Sequence, residues 1–328
     1  MSPTVNRAIE PGYAGLATFC KTPLALSAAE LTGADAVIVG VPTDGRVTNR
    51  PGARFGPRAI RTSCPGSSST RPHVISGVDP LVDLVVVDYG DVEPKPADLD
   101  GQVALVRERV GDVLDAGAVP IVLGGDHSLA YATVGAVSDR LGVDGFCMVQ
   151  LDTHADTGEV FGGRLTHGTP IRMLIEEGSL SGSRLWQVGL RGYWPAADVF
   201  DWMRSKGLRF YTMDDVEQHG IDAVIAPIVS EIRSLECPVY LSVDIDVLDP
   251  AFAPGTGTPE PGGLTTRELF RAIRELASSL PVVGMEVVEV APPYDHADIT
   301  ALAAHRCVLE TLTGIATRRS GASASQSP

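Results

Sequence analysis

Three segments of the sequence place acidic or imidazole side chains directly after short apolar runs that are typical of buried β-strands. Carboxylates and imidazoles bind metal ions and move protons. Isolated charges at a buried strand end are costly unless they are paired or bound to metal, and the alternative interpretation is a solvated strand end. In chain order these residues are His127, Asp152, His154, Asp156, Asp244 and Asp246.

The spacing of these residues predicts that they share one side of a sheet. Asp244 and Asp246 lie two residues apart, as do the polar residues of segment 152–156. Alternate residues of a strand point to the same face, and open α/β sheets bind ligands at the carboxyl ends of their strands. Oxygen-rich sites with some imidazole suit divalent ions such as Mn²⁺. Because the ligands exceed what one ion needs, we predict two ions about 3.5–4 Å apart.

Eight apolar runs recur with helix-like segments between them, which favours one parallel sheet covered by helices on both faces. Apolar residues keep a helical spacing from Val103 to Leu114, and Thr265 with Glu268 forms a candidate capping box. We interpret the apolar runs as strands at 36–41, 84–87, 120–123, 145–151, 185–190, 208–211, 239–245 and 282–290.

The chain divides into three parts by composition. Residues 1–33 contain three prolines without a clear period and are interpreted as an irregular arm. Residues 34–316 contain no Gly/Ser linker and are predicted to form a single domain. Residues 317–328 are rich in Ser, Ala and Gly, and this composition favours a disordered tail.

Composition and charge limit the possible partners. The chain has 328 residues, 44% of them hydrophobic, and a net charge of −15. This charge argues against nucleic acid and anionic membranes as partners and mildly favours a cationic substrate. We expect a cytoplasmic protein, because no signal peptide or apolar run of about 18 residues is visible. The five cysteines lack metal-site spacing and are expected to be reduced.

Two further residues are candidates for chemistry. Glu289 interrupts the last apolar run, and a buried acid needs a partner. It is either a member of a salt bridge or a binder of a substrate cation. His167 lies in a loop shortly after Asp156, where it either caps a helix or leans over the metals.

The chain resembles the ureohydrolase (arginase/agmatinase) family from residue 35 to residue 315. Three metal motifs occur in the family's order, and the match is nearer to agmatinases and guanidino-acid hydrolases than to arginases proper. The matching segments are Gly-Gly-Asp-His-Ser at 124–128, Asp-Thr-His-Ala-Asp at 152–156, His-Gly-Thr at 167–169, Ser-Val-Asp-Ile-Asp-Val-Leu-Asp-Pro at 242–250, Pro-Gly-Thr-Gly-Thr-Pro at 254–259 and Val-Glu at 288–289.

The resemblance implies a three-layer α/β/α fold with an eight-stranded parallel sheet, two Mn²⁺ ions per chain and assembly as a homotrimer or homohexamer. Asp152 and Asp244 would bridge the ions, while Asp126 and Asp249 match positions that are not ligands in the family. By the same resemblance, one ion is bound by His127, Asp152, Asp156 and Asp244, and the other by Asp152, His154, Asp244 and Asp246.

The implied reaction is hydrolysis of a small guanidino compound to urea and a primary amine. Glu289 would pair with the guanidinium, Asp156 would pass a proton to the leaving amine, and His167 would exchange protons with solvent. A non-catalytic metal-bound scaffold is disfavoured because no expected residue is missing. A deacetylase-like enzyme with one zinc ion is disfavoured because such a site needs only about three protein ligands.

The segments around the motifs favour a substrate without an α-amino-acid head. Gly158 stands where arginases carry a polar residue, typically Asn, and Leu165-Thr166 precede the loop histidine. We favour agmatine, whose ammonium Glu159 could accept. The alternative is a guanidino acid such as 4-guanidinobutanoate, whose carboxylate Arg46, Arg164 or Arg191 could accept.

The first loop departs from the family pattern. It reads Gly-Arg-Val-Thr-Asn-Arg-Pro-Gly-Ala-Arg at 45–54, where many agmatinases carry Gly-Gly-Thr-Ser-Tyr-Arg-Pro-Gly-Ala-Arg. If this loop borders the pocket, we expect it to affect the choice of substrate.

Overall fold

The computed structural model describes residues 11–63, 72–159, 164–193 and 195–324. Its centre is one sheet of eight strands in the order β2-β1-β3-β8-β7-β4-β5-β6, and every neighbouring pair is parallel. The eight-stranded parallel sheet is therefore confirmed. Its strands are β1 Ala36–Val41, β2 Val86–Asp91, β3 Val119–Gly124, β4 Cys147–Leu151, β5 Leu185–Leu190, β6 Arg209–Thr212, β7 Val239–Asp244 and β8 Val282–Val288.

Helices cover both faces of the sheet, so the strands are buried on both sides. In β1, Ile38 packs in the core under α1 and α7–α10, while Val37 and Val39 pack against α3 and α4. Helices α4–α6 complete that second layer. The helices are α1 Gly56–Thr62, α2 Pro80–Asp83, α3 Leu99–Asp115, α4 Ala130–Leu141, α5 Pro170–Glu176, α6 Ala197–Ser205, α7 Met213–His219, α8 Ile221–Ser234, α9 Thr266–Ser279 and α10 Ile299–Ala324.

Strand β2 begins and ends later than the apolar run 84–87 predicted, because a charged residue is buried within it. Asp88 is fully buried and accepts two hydrogen bonds from the Arg61 guanidinium, at 2.9 and 3.0 Å. The main-chain N–H of Phe19 donates to the same carboxylate at 2.8 Å. The paired charge allows the strand to continue, and it also attaches the arm to the sheet.

The capping box of α9 is confirmed. Thr265 accepts a hydrogen bond from the main-chain N–H of Glu268, and the Glu268 carboxylate accepts one from the main-chain N–H of Thr265. These two contacts satisfy amide groups that the first turn of a helix leaves unpaired.

The described part of the arm, residues 11–33, contains only two short 3₁₀ helices, Phe19–Lys21 and Ala28–Leu31. Residues 1–10 lie outside the described residues, and the boundary of the arm stays a prediction. Within the described ranges, no helix is long and apolar enough to cross a membrane.

The prediction of a disordered tail from residue 317 is wrong for residues 317–324, which continue helix α10. The hydroxyl of Thr317 donates to the Thr313 carbonyl at 2.8 Å, one turn earlier. Arg319 forms an ion pair with Asp35, just before β1. A low-complexity sequence can remain helical when a neighbouring charge fixes it to the domain, and composition alone does not reveal that charge. Residues 325–328 lie outside the described residues.

The four cysteines within the described ranges are buried free thiols: Cys20, Cys147, Cys237 and Cys307. Cys64 lies outside the described residues.

Candidate metal centre and active site

The strand order brings the candidate residues together. Strands β3, β8, β7 and β4 are consecutive neighbours at the centre of the sheet. Because they are parallel, their carboxyl ends meet at one edge. The candidate residues at this edge are His127 after β3, Glu289 after β8, Asp244 and Asp246 at β7, and Asp152, His154 and Asp156 after β4.

These side chains converge through turns rather than through the alternation of a strand. Asp244 is the last residue of β7, and Asp246 lies in the 3₁₀ turn Ile245–Val247, so the prediction that both leave one strand is wrong for Asp246. The Asp244 carboxylate accepts the Asp246 main-chain N–H at 2.9 Å. Asp152 likewise accepts the His154 N–H at 2.7 Å. Each turn is thus fixed by the carboxylate that it presents.

Two groups of potential ligand atoms form within the cluster, with the atoms of each group within 4.8 Å of one another. Nδ1 of His127 lies 2.8 Å from Asp156 Oδ2, 3.1 Å from Asp152 Oδ2 and 3.3 Å from Asp244 Oδ2. Nδ1 of His154 lies 3.1 Å from Asp246 Oδ2. The groups are His127 with Asp152 and Asp244, and Asp152 with His154 and Asp246.

A buried network fixes the tautomer of His127. Its Nε2 lies 2.9 Å from the Ser242 hydroxyl, which donates to Glu286 at 2.8 Å. Because the hydroxyl proton is committed to Glu286, Nε2 must donate, and in the neutral ring Nδ1 holds a lone pair directed at the carboxylates. The hydroxyls of Tyr240 and Thr133 also donate to Glu286, at 2.8 and 2.6 Å.

The sequence analysis did not find Ser242 and Glu286 as partners. They are polar residues in apolar strands, and they lie opposite each other in the β7–β8 register. Their polarity was a signal, but the register that pairs them follows from the strand order.

The residues present fit a metal centre. Nδ1 of His127 and Oδ2 of Asp156 are buried without a hydrogen-bond partner in the described structure. A lone pair on Nδ1 and the carboxylate oxygens that face it are all acceptors, so no proton lies between them, and a bound cation satisfies both. Asp152 and Asp246 are fully buried, so the cluster also needs positive charge to remain ionised.

Electrostatics support this conclusion. Burial, followed by the charges of Asp156 and Asp246, raises the pKa of Asp152 to about 7 in the metal-free protein. The pKa of Asp244 is raised by burial and then by Asp246. Burial lowers the pKa of His154, but Asp246 outweighs it and the pKa rises to about 10. Protons therefore occupy the cluster when metal is absent.

A cavity of about 470 Å³ opens onto the cluster and forms the candidate substrate pocket. Residues that lie outside the cluster complete its walls, including the first loop that departs from the family pattern. These lining residues are Thr48, Gly158, Glu159, Arg164, Thr166, His167, Gly168, Thr169, Thr258 and Glu289.

Glu289 lies just past the end of β8, not inside the strand as the sequence predicted, and its φ of 62° turns it away from the strand path. Its Oε1 accepts the His127 main-chain N–H at 2.9 Å and lies 3.1 Å from His167 Nδ1. Its Oε2 is buried and has no partner among the described residues. One carboxylate oxygen thus remains available to a ligand in the pocket.

His167 is fixed on both sides of its ring. Nδ1 meets Glu289, and Nε2 lies 2.8 Å from the hydroxyl of Thr48. Its main-chain N–H donates to the Arg46 carbonyl at 3.1 Å. Burial lowers the pKa of His167, but the contact with Glu289 outweighs it, so the pKa is raised. The histidine therefore leans into the pocket and is not a surface cap.

Two of the three candidate arginines are committed elsewhere. Arg191 donates to the main-chain carbonyls of Glu260 and Asp246, and Arg46 donates to the Leu165 carbonyl and pairs with Asp100. Neither lines the pocket. Arg164 does line the pocket, and it forms no ion pair with the described residues.

Asp126 and Asp249, which match positions that are not metal ligands in the family, accept hydrogen bonds from main-chain N–H groups. Asp126 is fully buried and accepts the main-chain N–H groups of Arg46 and Ser128, at 3.2 and 3.0 Å. Asp249 accepts the main-chain N–H groups of Ala251 and Gly262, at 2.9 and 2.7 Å. Both carboxylates stabilise the loops around the site.

Comparisons with known proteins agree with this geometry. The sequence profile of the arginase family matches residues 34–314. The chain belongs to the arginase family. It is 40% identical to proclavaminate amidinohydrolase of Streptomyces clavuligerus, over 94% of this chain and 96% of that protein. The structure of that relative superposes with a TM-score of 0.85, covering 94% of this chain and all of the other.

Relatives whose names give other substrates have similar sequence identity to this chain. Guanidinobutyrase of Pseudomonas aeruginosa is 38% identical over 92% of this chain and 93% of its own. Mitochondrial agmatinase of Gallus gallus is 38% identical over 91% of this chain and 85% of its own. This arginase-family protein is therefore a guanidino-group hydrolase that cleaves C–N bonds of linear amidines.

The raised pKa values predict how metal stabilises the protein as pH changes. A group whose pKa is raised on folding stabilises the protein below its unfolded pKa and loses that contribution as pH rises through the folded pKa. For Asp152 this window runs from 3.8 to about 7, and for His154 from 6.5 to about 10. The metal-free protein therefore loses stability across this range, whereas metal binds the deprotonated ligands.

We expect saturating Mn²⁺ to raise Tm more at about pH 8 than at about pH 5. Differential scanning calorimetry of the metal-free and metal-loaded protein measures both values. The variant Asp152→Asn serves as the control and should show little Tm gain at either pH. An equal gain at both pH values in the wild type would contradict the account.

Proposed function

We propose that the protein is a binuclear manganese amidinohydrolase that releases urea and a primary amine from a small linear guanidino compound. The observation that supports this most directly is Glu289 Oε2, a buried carboxylate oxygen without a partner beside the ligand cluster. A guanidinium presents N–H donors that match such an oxygen. The intact cluster and loop histidine argue against a non-catalytic scaffold.

We assign the ligands as the family resemblance implies. The described groups share Asp152, which supports its role as a bridge between the ions. Asp244 lies 3.3 Å from His127 Nδ1 through Oδ2, which supports its place with the first ion, and its bridging role rests on the family resemblance. One ion would be bound by His127, Asp152, Asp156 and Asp244, and the other by Asp152, His154, Asp244 and Asp246.

When bound, a pair of divalent ions activates water as a nucleophile at neutral pH. Glu289 orients the guanidinium through Oε2, while the two N–H groups on Oε1 fix its carboxylate plane. Asp156, whose Oδ2 has no hydrogen-bond partner in the described structure, would accept a proton from the attacking water and pass it to the leaving amine. His167, at the pocket wall, exchanges protons with solvent.

The reaction is tested by urea release together with metal content. We expect His167→Ala to retain both metal ions and to lose roughly 10²–10⁴-fold in kcat, the usual contribution of general acid–base catalysis. Glu289→Gln should retain the metals and lose guanidinium binding, which raises KM. Near-normal turnover of His167→Ala would contradict its role, and no urea from any guanidino compound would contradict the function itself.

For the substrate tail, we propose agmatine as the first candidate, with the Glu159 carboxylate as the partner of its ammonium. Glu159 lines the pocket, and the net charge of −15 favours cations. A guanidino acid is the second candidate, because Arg164 lines the same pocket without an ion-pair partner in the described residues. The names of the relatives include both substrate types.

A pair of charge substitutions distinguishes the two tails. Glu159→Gln should lower kcat/KM for agmatine by about three- to tenfold if an exposed pair contributes about 1 kcal/mol, and it should leave 4-guanidinobutanoate unaffected. Arg164→Gln is the matched variant and should act only on the guanidino acid. A wild-type preference for arginine over both compounds would contradict the proposal about the pocket.

We further propose that the chain works in the cytoplasm, and that it assembles as a homotrimer or homohexamer, as the family resemblance implies. Light scattering at micromolar concentration measures the assembly.

A further inference from the structure

The first loop reaches the pocket through Thr48, which lines the cavity although its side chain is exposed. The main-chain N–H of Thr48 donates to His167 Nε2 at 3.1 Å, and the Thr48 hydroxyl lies 2.8 Å from the same nitrogen. A main-chain amide can only donate, so Nε2 must be the acceptor. The loop therefore contributes two polar contacts to one ring nitrogen.

This contact determines where the proton of His167 lies. With Nε2 as acceptor, the neutral ring must have its proton on Nδ1, which lies 3.1 Å from the carboxylate of Glu289. The opposite tautomer would direct a lone pair of Nδ1 at that carboxylate and an N–H at the amide of Thr48. Both contacts would then be repulsive.

The same arrangement determines which oxygen of Glu289 meets the substrate. Oε1 receives the Nδ1–H of His167 and the main-chain N–H of His127. Oε2 receives nothing from the described residues. A chain of contacts thus connects Thr48 through the imidazole to the carboxylate.

We propose that Thr48 is a positioning residue that fixes His167 as its Nδ1–H tautomer and, through it, presents Glu289 Oε2 to the guanidinium. This inference rests on the proposed function for its effect on catalysis, but the tautomer itself does not depend on turnover. Nothing in the sequence pattern pointed to Thr48 as a partner of His167, which is 119 residues away.

Three threonine substitutions test the role by kinetics. Thr48→Val retains the main-chain N–H and the side-chain shape but removes the hydroxyl. We expect kcat to fall by roughly two- to tenfold, the effect of one hydrogen bond. Thr48→Ser retains both contacts and should restore the rate. Thr43→Val is the matched control: it makes the same change between β1 and the first loop, and its hydroxyl makes no hydrogen bond to the described residues.

A second readout does not require turnover. Solid-state ¹⁵N NMR of the full-length, histidine-labelled protein, loaded with diamagnetic Zn²⁺, distinguishes protonated from unprotonated ring nitrogens. The signals of His167 are assigned by their loss in His167→Asn. At a pH where the ring is neutral, we expect proton-bearing Nδ1 and bare Nε2 in the wild type, in Thr48→Ser and in Thr48→Val, because all three retain the main-chain N–H that donates to Nε2.

The outcomes separate this inference from the proposed function. A proton on Nε2 in the wild type, or a Thr48→Val variant that matches the wild type in rate, would overturn the role of Thr48. A wild type without urea release would contradict the proposed function, and the NMR spectrum would still decide the tautomer.

Discussion

The concentration of buried negative charge at the carboxyl ends of adjacent strands is the constraint on which the structure depends. Four aspartates converge within a few ångströms: Asp152, Asp156, Asp244 and Asp246, of which Asp152 and Asp246 are fully excluded from water. Such an arrangement costs free energy unless cations or protons compensate it. The raised pKa of Asp152 reflects this cost. The fold stabilises the strands well enough to tolerate it, because their faces are covered by helices.

Secondary contacts determine the orientation of each group around this charge. Ser242 and Glu286 fix the ring of His127 from behind, whereas His167 and the His127 amide fix Glu289 from the side. Ligand side chains in metal sites commonly depend on such partners for their tautomer and direction. The candidate metal cluster and Glu289, the proposed guanidinium partner, are therefore connected through His127.

The sequence predicted the sheet well, because apolar runs of parallel strands are nearly continuous and stand out from the helices. It was less accurate where a charge is buried: β2 extends through Asp88 because Arg61 pairs with it. Helix α10 extends beyond the predicted boundary, and in that extension Arg319 pairs with Asp35. Both contacts join residues distant in sequence, so composition and periodicity could not reveal them.

The candidate site was predictable to the extent that its residues lie in short motifs. The motifs named the side chains that the structure brings together, but strand spacing gave the wrong local geometry for Asp246, which lies in a 3₁₀ turn. Glu286 and Thr48 contact the site from another strand and another loop. These contacts follow from the order of the strands and the path of the loop, which the motifs do not show. The sequence also could not decide among the arginines, since it does not show that Arg46 and Arg191 are held by other contacts while Arg164 lines the pocket.

The central claim is that this charge cluster binds two metal ions. Crystals of the Mn²⁺-loaded protein, measured on both sides of the manganese absorption edge, test it directly. The account predicts two anomalous peaks about 3.5–4 Å apart, between the carboxylates of Asp152 and Asp244 and beside the rings of His127 and His154. A single peak in a fully active protein, or peaks away from these side chains, would contradict it.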